Sequence, residues 1–142
     1  MKVVQVNDLP PERKVRFHSG ISNRILLKSD GMGYTLTKTV IDPGQRVFQH
    51  YKHHLEACYC VYGHAILVDA RTGEMYNIVP DTTYILDNHD PHYFEAYEET
   101  VLICVFNPPL VGDEIHQEDG SYAAENDRDG QYDNCKTLMF GA

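Results

Sequence analysis

The sequence predicts an all-β protein, built as one jelly-roll barrel with short flanking helices or loops. From Arg24 to about Pro108 it consists of short β-rich runs separated by Gly, Pro, Asp and Asn, and no stretch has sustained helical periodicity. In chain order the runs are YTLTKTVI, EACYCVY, HAILVDA, TTYILD and VLICVF. Many short strands without alternating helices are typical of a sandwich or a barrel, and the jelly roll is one such arrangement.

Strand alternation assigns an inner face to two of these runs. In EACYCVY, the side chains of Glu56, Cys58 and Cys60 point to the same face. In TTYILD, Tyr84 and Leu86 share a face in the same way. Glu56 is therefore expected where an interior ligand can lie, whereas a tyrosine within a strand is more often a core residue with its hydroxyl at the rim.

Length and composition limit the domain organisation. A chain of 142 residues, 42% of them hydrophobic, can bury one core of ordinary size and leaves no room for a second full domain. We expect a barrel domain over residues 1–123 and a polar tail over residues 124–142. The stretch ENDRDGQYDN has the composition of a loosely held segment, whereas CKTLMFGA regains apolar character and can fold back on the body or on a partner subunit.

Charge and cysteine usage exclude several classes of partner. With 12 Lys and Arg against 21 Asp and Glu, the net charge of −9 disfavours binding to nucleic acid or to an anionic membrane surface. No apolar run is long enough for a signal peptide or a membrane span, so a cytoplasmic protein is expected. The cysteines are predicted to be reduced thiols, mostly in the core: Cys58, Cys60, Cys104 and Cys135.

Metal-binding side chains are concentrated just before the EACYCVY strand. Within seven residues the chain carries His50, His53, His54 and Glu56. Imidazole and carboxylate groups in this concentration are what a divalent transition metal needs. Polar surface loops also collect histidines, so the cluster alone leaves both interpretations open.

The spacing around this cluster resembles the first signature of the cupins. Gly44 is followed after five residues by His50, and Glu56 is followed after six residues by Gly63. Cupins usually carry a second histidine two positions after the first, where this chain has Lys52. Some other residue must therefore complete any metal shell, while the lysine either pairs with a carboxylate or is solvated.

A second cupin-like segment, VPDTTYILDNHDPHYFEA, follows across the expected hairpin. It supplies Pro80, Tyr84, His89 and His92. Asp81 stands where the signature prefers glycine. His92 is a candidate metal ligand, and the alternative is a partly exposed loop histidine.

Four strings in order along the chain resemble the ectoine synthases: HYKHHLEACYC, YILDNHDPHY, LICVFNPPLVGDEIH and QEDGSYA. The resemblance runs from about Ser22 to Ala123. It implies a cupin-type jelly-roll barrel that holds Fe(2+) through Glu56, Tyr84 and His92. It also implies a hydro-lyase that condenses N-γ-acetyl-L-2,4-diaminobutyrate to ectoine with loss of water, working as a homodimer that pairs through open strand edges.

The resemblance further implies which residues surround the substrate. The substrate-binding positions are Ser22, Arg24, Thr39, Asp90, Phe106, Glu114 and His116, and the catalytic ones are Tyr51, His54 and Cys104. Arg24 would hold the substrate carboxylate, its alternative being a surface charge. Thr39 would present a hydroxyl to the barrel interior, its alternative being an ordinary strand former. Cys104 would act by packing and positioning, because the substrate supplies its own nucleophile.

Three departures from the family pattern leave the native substrate open. The family commonly has tryptophan four residues before its arginine, where this tryptophan-free chain has Gly20. The strand after Gly63 begins with His64, Ala65 and Ile66, and the tail is longer than usual. The alternatives are a related metal-dependent cupin that cyclises or hydrolyses another N-acyl amino acid, and a non-catalytic cupin that binds a small molecule.

Overall fold

Ten β-strands form two antiparallel sheets that pack against each other in the computed structural model, which describes residues 1–122. The strands are β1 (Lys14–Phe17), β2 (Gly20–Leu26), β3 (Thr35–Ile41), β4 (Arg46–Gln49), β5 (Leu55–Tyr62), β6 (Ala65–Asp69), β7 (Met75–Ile78), β8 (Thr83–Leu86), β9 (His92–Ala96) and β10 (Thr100–Asn107). Three short 3-10 helices span Val6–Asp8, Pro11–Arg13 and Lys28–Asp30.

The strand order crosses over between the sheets, as in a jelly roll. The six-stranded sheet has the order β1-β2-β3-β10-β5-β8, and the four-stranded sheet has the order β4-β9-β6-β7. Every neighbouring pair is antiparallel. The predicted all-β jelly-roll class with short flanking helices is therefore confirmed.

The sheet begins earlier than the sequence predicted, at Lys14 rather than at Arg24. Beyond that, β2, β4, β7 and β9 were not among the predicted runs. Of the strands that were not predicted, β1, β4 and β7 are four residues long and lie at sheet edges. Edge strands are short and polar because one side faces solvent, so they form through the ladder to their neighbour and leave a weak hydrophobic pattern.

The inner faces of the two sheets meet in one core. Cys58 and Cys60 of β5 are buried, and between them Tyr59 is exposed, which confirms the predicted alternation. Leu67 of β6 and Phe94 of β9 join the same hydrophobic cluster from the other sheet. The barrel interior is thus closed by side chains from both sheets.

The three described cysteines are free thiols in this core, as predicted. Cys135 and the predicted tail over residues 124–142 lie outside the described residues. Within residues 1–122, no helix is long and apolar enough to cross a membrane.

Candidate functional site

A cavity lies inside the barrel, and several predicted site residues line it. From the six-stranded sheet these are Ser22, Thr39, Glu56, Tyr84, Cys104 and Phe106. They converge because antiparallel partners face the same side, with Ser22 opposite Thr39 and Glu56 opposite Phe106. The cavity volume is about 30 Å³. That volume holds no more than a few waters, so a larger ligand requires part of the wall to move.

Donor groups for a metal meet on the β5, β8 and β10 side of this cavity. Cys58 is opposite Cys104 on one side and opposite Tyr84 on the other. The donor atoms of Glu56, Cys58 and Cys104 lie within 4.8 Å of one another. Burial raises the pKa of Glu56 to about 8, against hydrogen bonds from the two thiols. Burial also raises the pKa of Tyr84 well above its usual range.

His92 approaches from the opposite sheet. Its Nδ1 lies 2.8 Å from the carbonyl oxygen of Asp90, and its Nε2 lies 3.1 Å from Oε1 of Gln49. The imidazole centroid is 6.4 Å from the Tyr84 ring. Burial lowers the pKa of His92, which favours the neutral ring. The structure therefore brings His92 beside Tyr84, although it lies outside the group formed by Glu56 and the two thiols.

A segment over residues 110–122, here called the strap, closes one side of the cavity. The His50 amide donates to the Gly120 carbonyl at 3.0 Å, and Lys52 Nζ lies 2.9 Å from Asp119 Oδ2. Lys52, at the position where cupins usually carry their second histidine, thus pairs with a carboxylate. This ion pair joins the strap to the barrel at the protein surface.

Arg24 fastens the strap from inside the barrel. Its side chain is 1% exposed, and its terminal nitrogens donate to the carbonyls of Gly112 at 2.7 Å and Glu114 at 2.5 Å. The Glu114 carboxylate accepts from the amides of Val111 and Gly112. Neither Arg24 nor Glu114 lines the cavity. The predicted contact of Arg24 with the substrate carboxylate stays a prediction, and of its guanidinium nitrogens Nε lacks a hydrogen-bond partner.

The strap places His116 in contact with two tyrosines. His116 stacks on Tyr122 with ring centroids 4.7 Å apart, and its Nε2 lies 2.7 Å from the Tyr51 hydroxyl. Burial and the nearby charge of Arg24 lower the pKa of His116 to about 3. Burial raises the pKa of Tyr51 well above its usual range. The hydroxyl therefore keeps its proton, and the imidazole is neutral.

The sequence comparison decides the family. The family model described as ectoine synthase matches residues 1–126. The chain belongs to the ectoine synthase family. It is 46% identical to the L-ectoine synthase of Desulfatibacillum aliphaticivorans, over 89% of this chain and 100% of that protein. It is 44% identical to that of Alkalilimnicola ehrlichii, over 91% of this chain and 99% of that protein.

A solved structure agrees with this assignment. The crystal structure of ectoine synthase from P. lautus superposes with a TM-score of 0.79 at 36% identity, covering 87% of this chain and 91% of that one. The resemblance to the ectoine synthases and the implied hydro-lyase class are thus confirmed.

Besides Arg24 and Glu114, three residues predicted from the ectoine synthase pattern do not line the cavity: His54, Asp90 and His92. His92 borders the same groove as Asp90. Asp90 faces an open groove between β7 and β8, and its carboxylate pairs with Arg71. It precedes β9, so its backbone carbonyl orients His92 while its side chain points away from the cavity. His54 is buried behind the wall, 6.2 Å from the ring centroids of Phe106 and Tyr122, with Nδ1 lacking a hydrogen-bond partner. The roles predicted for these two side chains, substrate binding for Asp90 and catalysis for His54, stay predictions.

Eight residues that line the cavity of this ectoine synthase family member were not predicted from the sequence, among them Phe17, Gln49 and Tyr122. Phe17 and Gln49 lie on β1 and β4, the short edge strands that the hydrophobic pattern did not indicate. Tyr122 lies in the QEDGSYA string, so the resemblance marked its region without marking its role.

The aromatic wall expected from the family's tryptophan is supplied differently. A Cβ on Gly20 would lie 1.9 Å from the carbonyl oxygen of Val40, so this backbone admits no side chain there. Phe17 lines the cavity instead, with its ring centroid 6.1 Å from that of His116. The absent tryptophan therefore does not leave this wall without an aromatic side chain.

Gly120→Ala is expected to loosen the strap. Gly120 has a φ of +81°, and an added Cβ would lie 2.9 Å from the His50 amide nitrogen. Backbone strain and the close contact together should lower the free energy of unfolding by roughly 2–4 kcal/mol. Urea denaturation would measure the loss, and the Michaelis constant should rise because His116 and Tyr122 shift.

Gly31→Ala is the matched control. Gly31 has a φ of +75° with no atom within 4 Å of an added Cβ. Gly31→Ala should therefore lower the free energy of unfolding only through backbone strain, by about 1 kcal/mol. If Gly120→Ala and Gly31→Ala lost the same free energy of unfolding, the close contact between Gly120 and the His50 backbone would not matter for the strap.

Proposed function

We propose that this chain catalyses the ectoine synthase reaction, the intramolecular condensation of N-γ-acetyl-L-2,4-diaminobutyrate to ectoine with loss of water. The observation that carries the proposal is the 44–46% identity to L-ectoine synthases over 99–100% of their length. The α-amine attacks the acetyl carbonyl of the same molecule, and the carbonyl oxygen leaves as water. The reaction needs a folded substrate and proton transfers, without net oxidation or reduction.

The cavity residues support the proton transfers. The Tyr51 hydroxyl lies 2.7 Å from His116 Nε2, and both groups are neutral. A hydrogen-bonded neutral pair can take the proton that the amine loses and return one to the departing oxygen.

The substrate is held by the wall between β2, β3 and β10. Ser22 and Thr39 are cross-strand partners whose hydroxyls border the cavity. Phe106 and Cys104 supply the neighbouring apolar surface. We assign the substrate carboxylate to the Ser22 and Thr39 hydroxyls together with the unpartnered Nε of Arg24.

The donor set fits one Fe(2+), held by Glu56, Tyr84 and His92. A buried carboxyl, a half-buried phenol and a buried neutral imidazole suit a divalent metal, which would offset the cost of ionising the carboxyl and the phenol. Carboxylate, phenolate and imidazole together favour iron, whereas the nearby thiols of Cys58 and Cys104 would favour softer metals. When bound, the iron supplies a Lewis acid that polarises the acetyl carbonyl.

A turnover assay with iron-loaded protein tests the function. Purified protein and N-γ-acetyl-L-2,4-diaminobutyrate should yield ectoine, detected by proton NMR. Protein that binds iron but leaves this substrate unchanged, while converting another N-acyl amino acid, would transfer the assignment to a related cupin enzyme. Protein with neither iron nor turnover would support a non-catalytic binding protein.

A homodimer is expected under assay conditions. The outer face of the six-stranded sheet carries exposed apolar side chains that water disfavours, from Leu55, Tyr59, Ile85 and Val105. Ile85 lies on the edge strand β8. Light scattering at micromolar concentration should give twice the 16.2 kDa mass of the chain. Ile85→Arg should shift the protein toward monomer, and a monomeric wild type would contradict the proposal.

A further inference from the structure

His89 joins two loops of the barrel that are far apart in the chain. It lies between β8 and β9. Its Nδ1 is 2.8 Å from the carbonyl oxygen of Tyr51 and 3.1 Å from that of His54. Both carbonyls belong to the loop between β4 and β5, 38 and 35 positions away from His89. The imidazole therefore connects the β8–β9 loop to the β4–β5 loop.

The two carbonyls determine what His89 must present to them. A backbone carbonyl oxygen accepts hydrogen bonds and has no hydrogen to give, so the ring atom that faces both is a nitrogen that carries hydrogen. The neutral ring with its hydrogen on Nδ1 meets this condition, and so does the charged ring, in which both nitrogens carry hydrogen. His89 therefore donates to the β4–β5 loop in either protonation state.

The backbone of His89 is held in an uncommon conformation. Its φ is +49°, in the left-handed region that residues with a side chain rarely adopt. Glycine would adopt this conformation at no steric cost, but it has no side chain to donate. Strained residues of this kind persist where the surrounding contacts hold them, and they cluster at functional sites. The strain at His89 directs attention to what its side chain holds.

The loop that His89 contacts carries one half of the proposed proton-transfer pair. The Tyr51 side chain is buried, and its hydroxyl lies 2.7 Å from His116 Nε2. On its other side this loop is bound to the strap, through the His50 amide and the Lys52 ammonium. The His89 bond to the Tyr51 carbonyl thus acts on the backbone from which the catalytic hydroxyl extends.

We propose that His89 is a positioning residue, which holds the β4–β5 loop so that the Tyr51 hydroxyl meets His116 in the geometry that proton transfer needs. The inference rests on the proposed function and adds a residue to it. A displacement of about 1 Å at a reacting group can lower the rate by about 100-fold. Loss of the His89 donor should therefore lower kcat. It should leave KM and bound iron nearly unchanged, because other side chains are assigned to the substrate carboxylate and to the metal.

The test compares His89→Asn, His89→Asp and His89→Gly with the wild type. Asparagine tolerates a positive φ and has an amide nitrogen in the place of Nδ1, whereas ionised aspartate has the same shape and only accepts hydrogen bonds. Glycine relieves the backbone strain and removes the donor. The Asp and Gly variants should lose about 10- to 100-fold in kcat with KM within about threefold of the wild type, and the Asn variant should retain most of its kcat.

His18→Asp is the matched control. It makes the same substitution at an exposed histidine, whose Nε2 lies 3.2 Å from Oε1 of Gln45, outside the two loops. Its kcat and KM should equal those of the wild type. If His18→Asp lost as much kcat as His89→Asp, the added negative charge would account for the loss and the His89 inference would be overturned.

Hydrogen exchange of the metal-free proteins, followed by mass spectrometry, measures the loop without turnover. The His50 and Lys52 amides donate to carbonyls at 3.0 Å, so peptides covering residues 50–54 report on this loop. Exchange should be faster in His89→Asp and His89→Gly, and unchanged in His89→Asn and His18→Asp. Thermal unfolding followed by circular dichroism shows which variants are folded, and His89→Gly decides the question if His89→Asp is not.

Three results would overturn the His89 inference. The first is wild-type kcat and loop exchange in a folded His89→Asp or His89→Gly variant. The second is a His89→Asn variant as impaired as His89→Asp, because the Nδ1 donor would then not be what matters. The third is loss of iron together with turnover, because His89 would then act through the neighbouring His92. A wild type that leaves N-γ-acetyl-L-2,4-diaminobutyrate unchanged would overturn the proposed function, and the exchange rates would still decide whether His89 holds the loop.

Discussion

Glu56→Ala, Tyr84→Ala and His92→Ala should each lose most of the bound iron and most of the turnover. A shell with so few protein ligands loses a large share of its binding free energy with each one, so affinity should fall by at least about 100-fold. Metal analysis of the purified variants and the ectoine assay measure the two losses. Tyr84→Phe is the sharper variant, because it keeps the ring that packs in the barrel and removes only the oxygen.

Cys58→Ser and Cys104→Ser are the controls for this prediction. Their thiols lie within 4.8 Å of the Glu56 carboxylate, so they experience the same burial. Both variants should retain iron if the proposed ligand set is correct. If both serine variants lost iron while Tyr84→Phe retained it, the metal ligands would be Glu56 and the two thiols. Full iron in all three alanine variants would reject the assignment.

Arg24→Ala should destabilise the protein by roughly 3–5 kcal/mol and strongly impair turnover. The substitution leaves two buried carbonyls without their donor and removes the cation 3.7 Å from the Glu114 carboxylate. The strap would then loosen and carry His116 out of position. Arg24→Lys should recover only part of the stability, because an ammonium cannot present the planar fork of donors that spans both carbonyls. Chemical denaturation and the Michaelis constant measure the two effects.

Arg16→Ala on the neighbouring strand is the matched control. Arg16 is exposed on β1, so its removal should change the free energy of unfolding by less than about 0.5 kcal/mol. Wild-type stability in Arg24→Ala would contradict the role in fastening the strap. If that variant were stable and retained iron but had a raised Michaelis constant, direct binding of the substrate carboxylate would be its main role.

The fold and part of the site could be predicted from local patterns. Alternation put Glu56 and Cys58 on the inner face, and the ordered strings identified the family. Both signals are contained within a few consecutive residues, because side-chain direction in a strand repeats every two positions. The edge strands β1, β4 and β7 escaped prediction, since their formation depends on hydrogen bonds from a neighbour that is distant in sequence.

The sequence by itself determined the jelly-roll class, the family and the inner-face position of Glu56. Tertiary structure alone decided that Arg24 binds the strap, that Asp90 points away from the cavity, and that Gln49 meets His92. The physical reason is that these outcomes depend on contacts between segments far apart in the chain. The Arg24 contacts span 88 and 90 positions, and Gln49 and His92 are 43 positions apart. No periodicity within one strand encodes which distant strand lies beside it, or in what register.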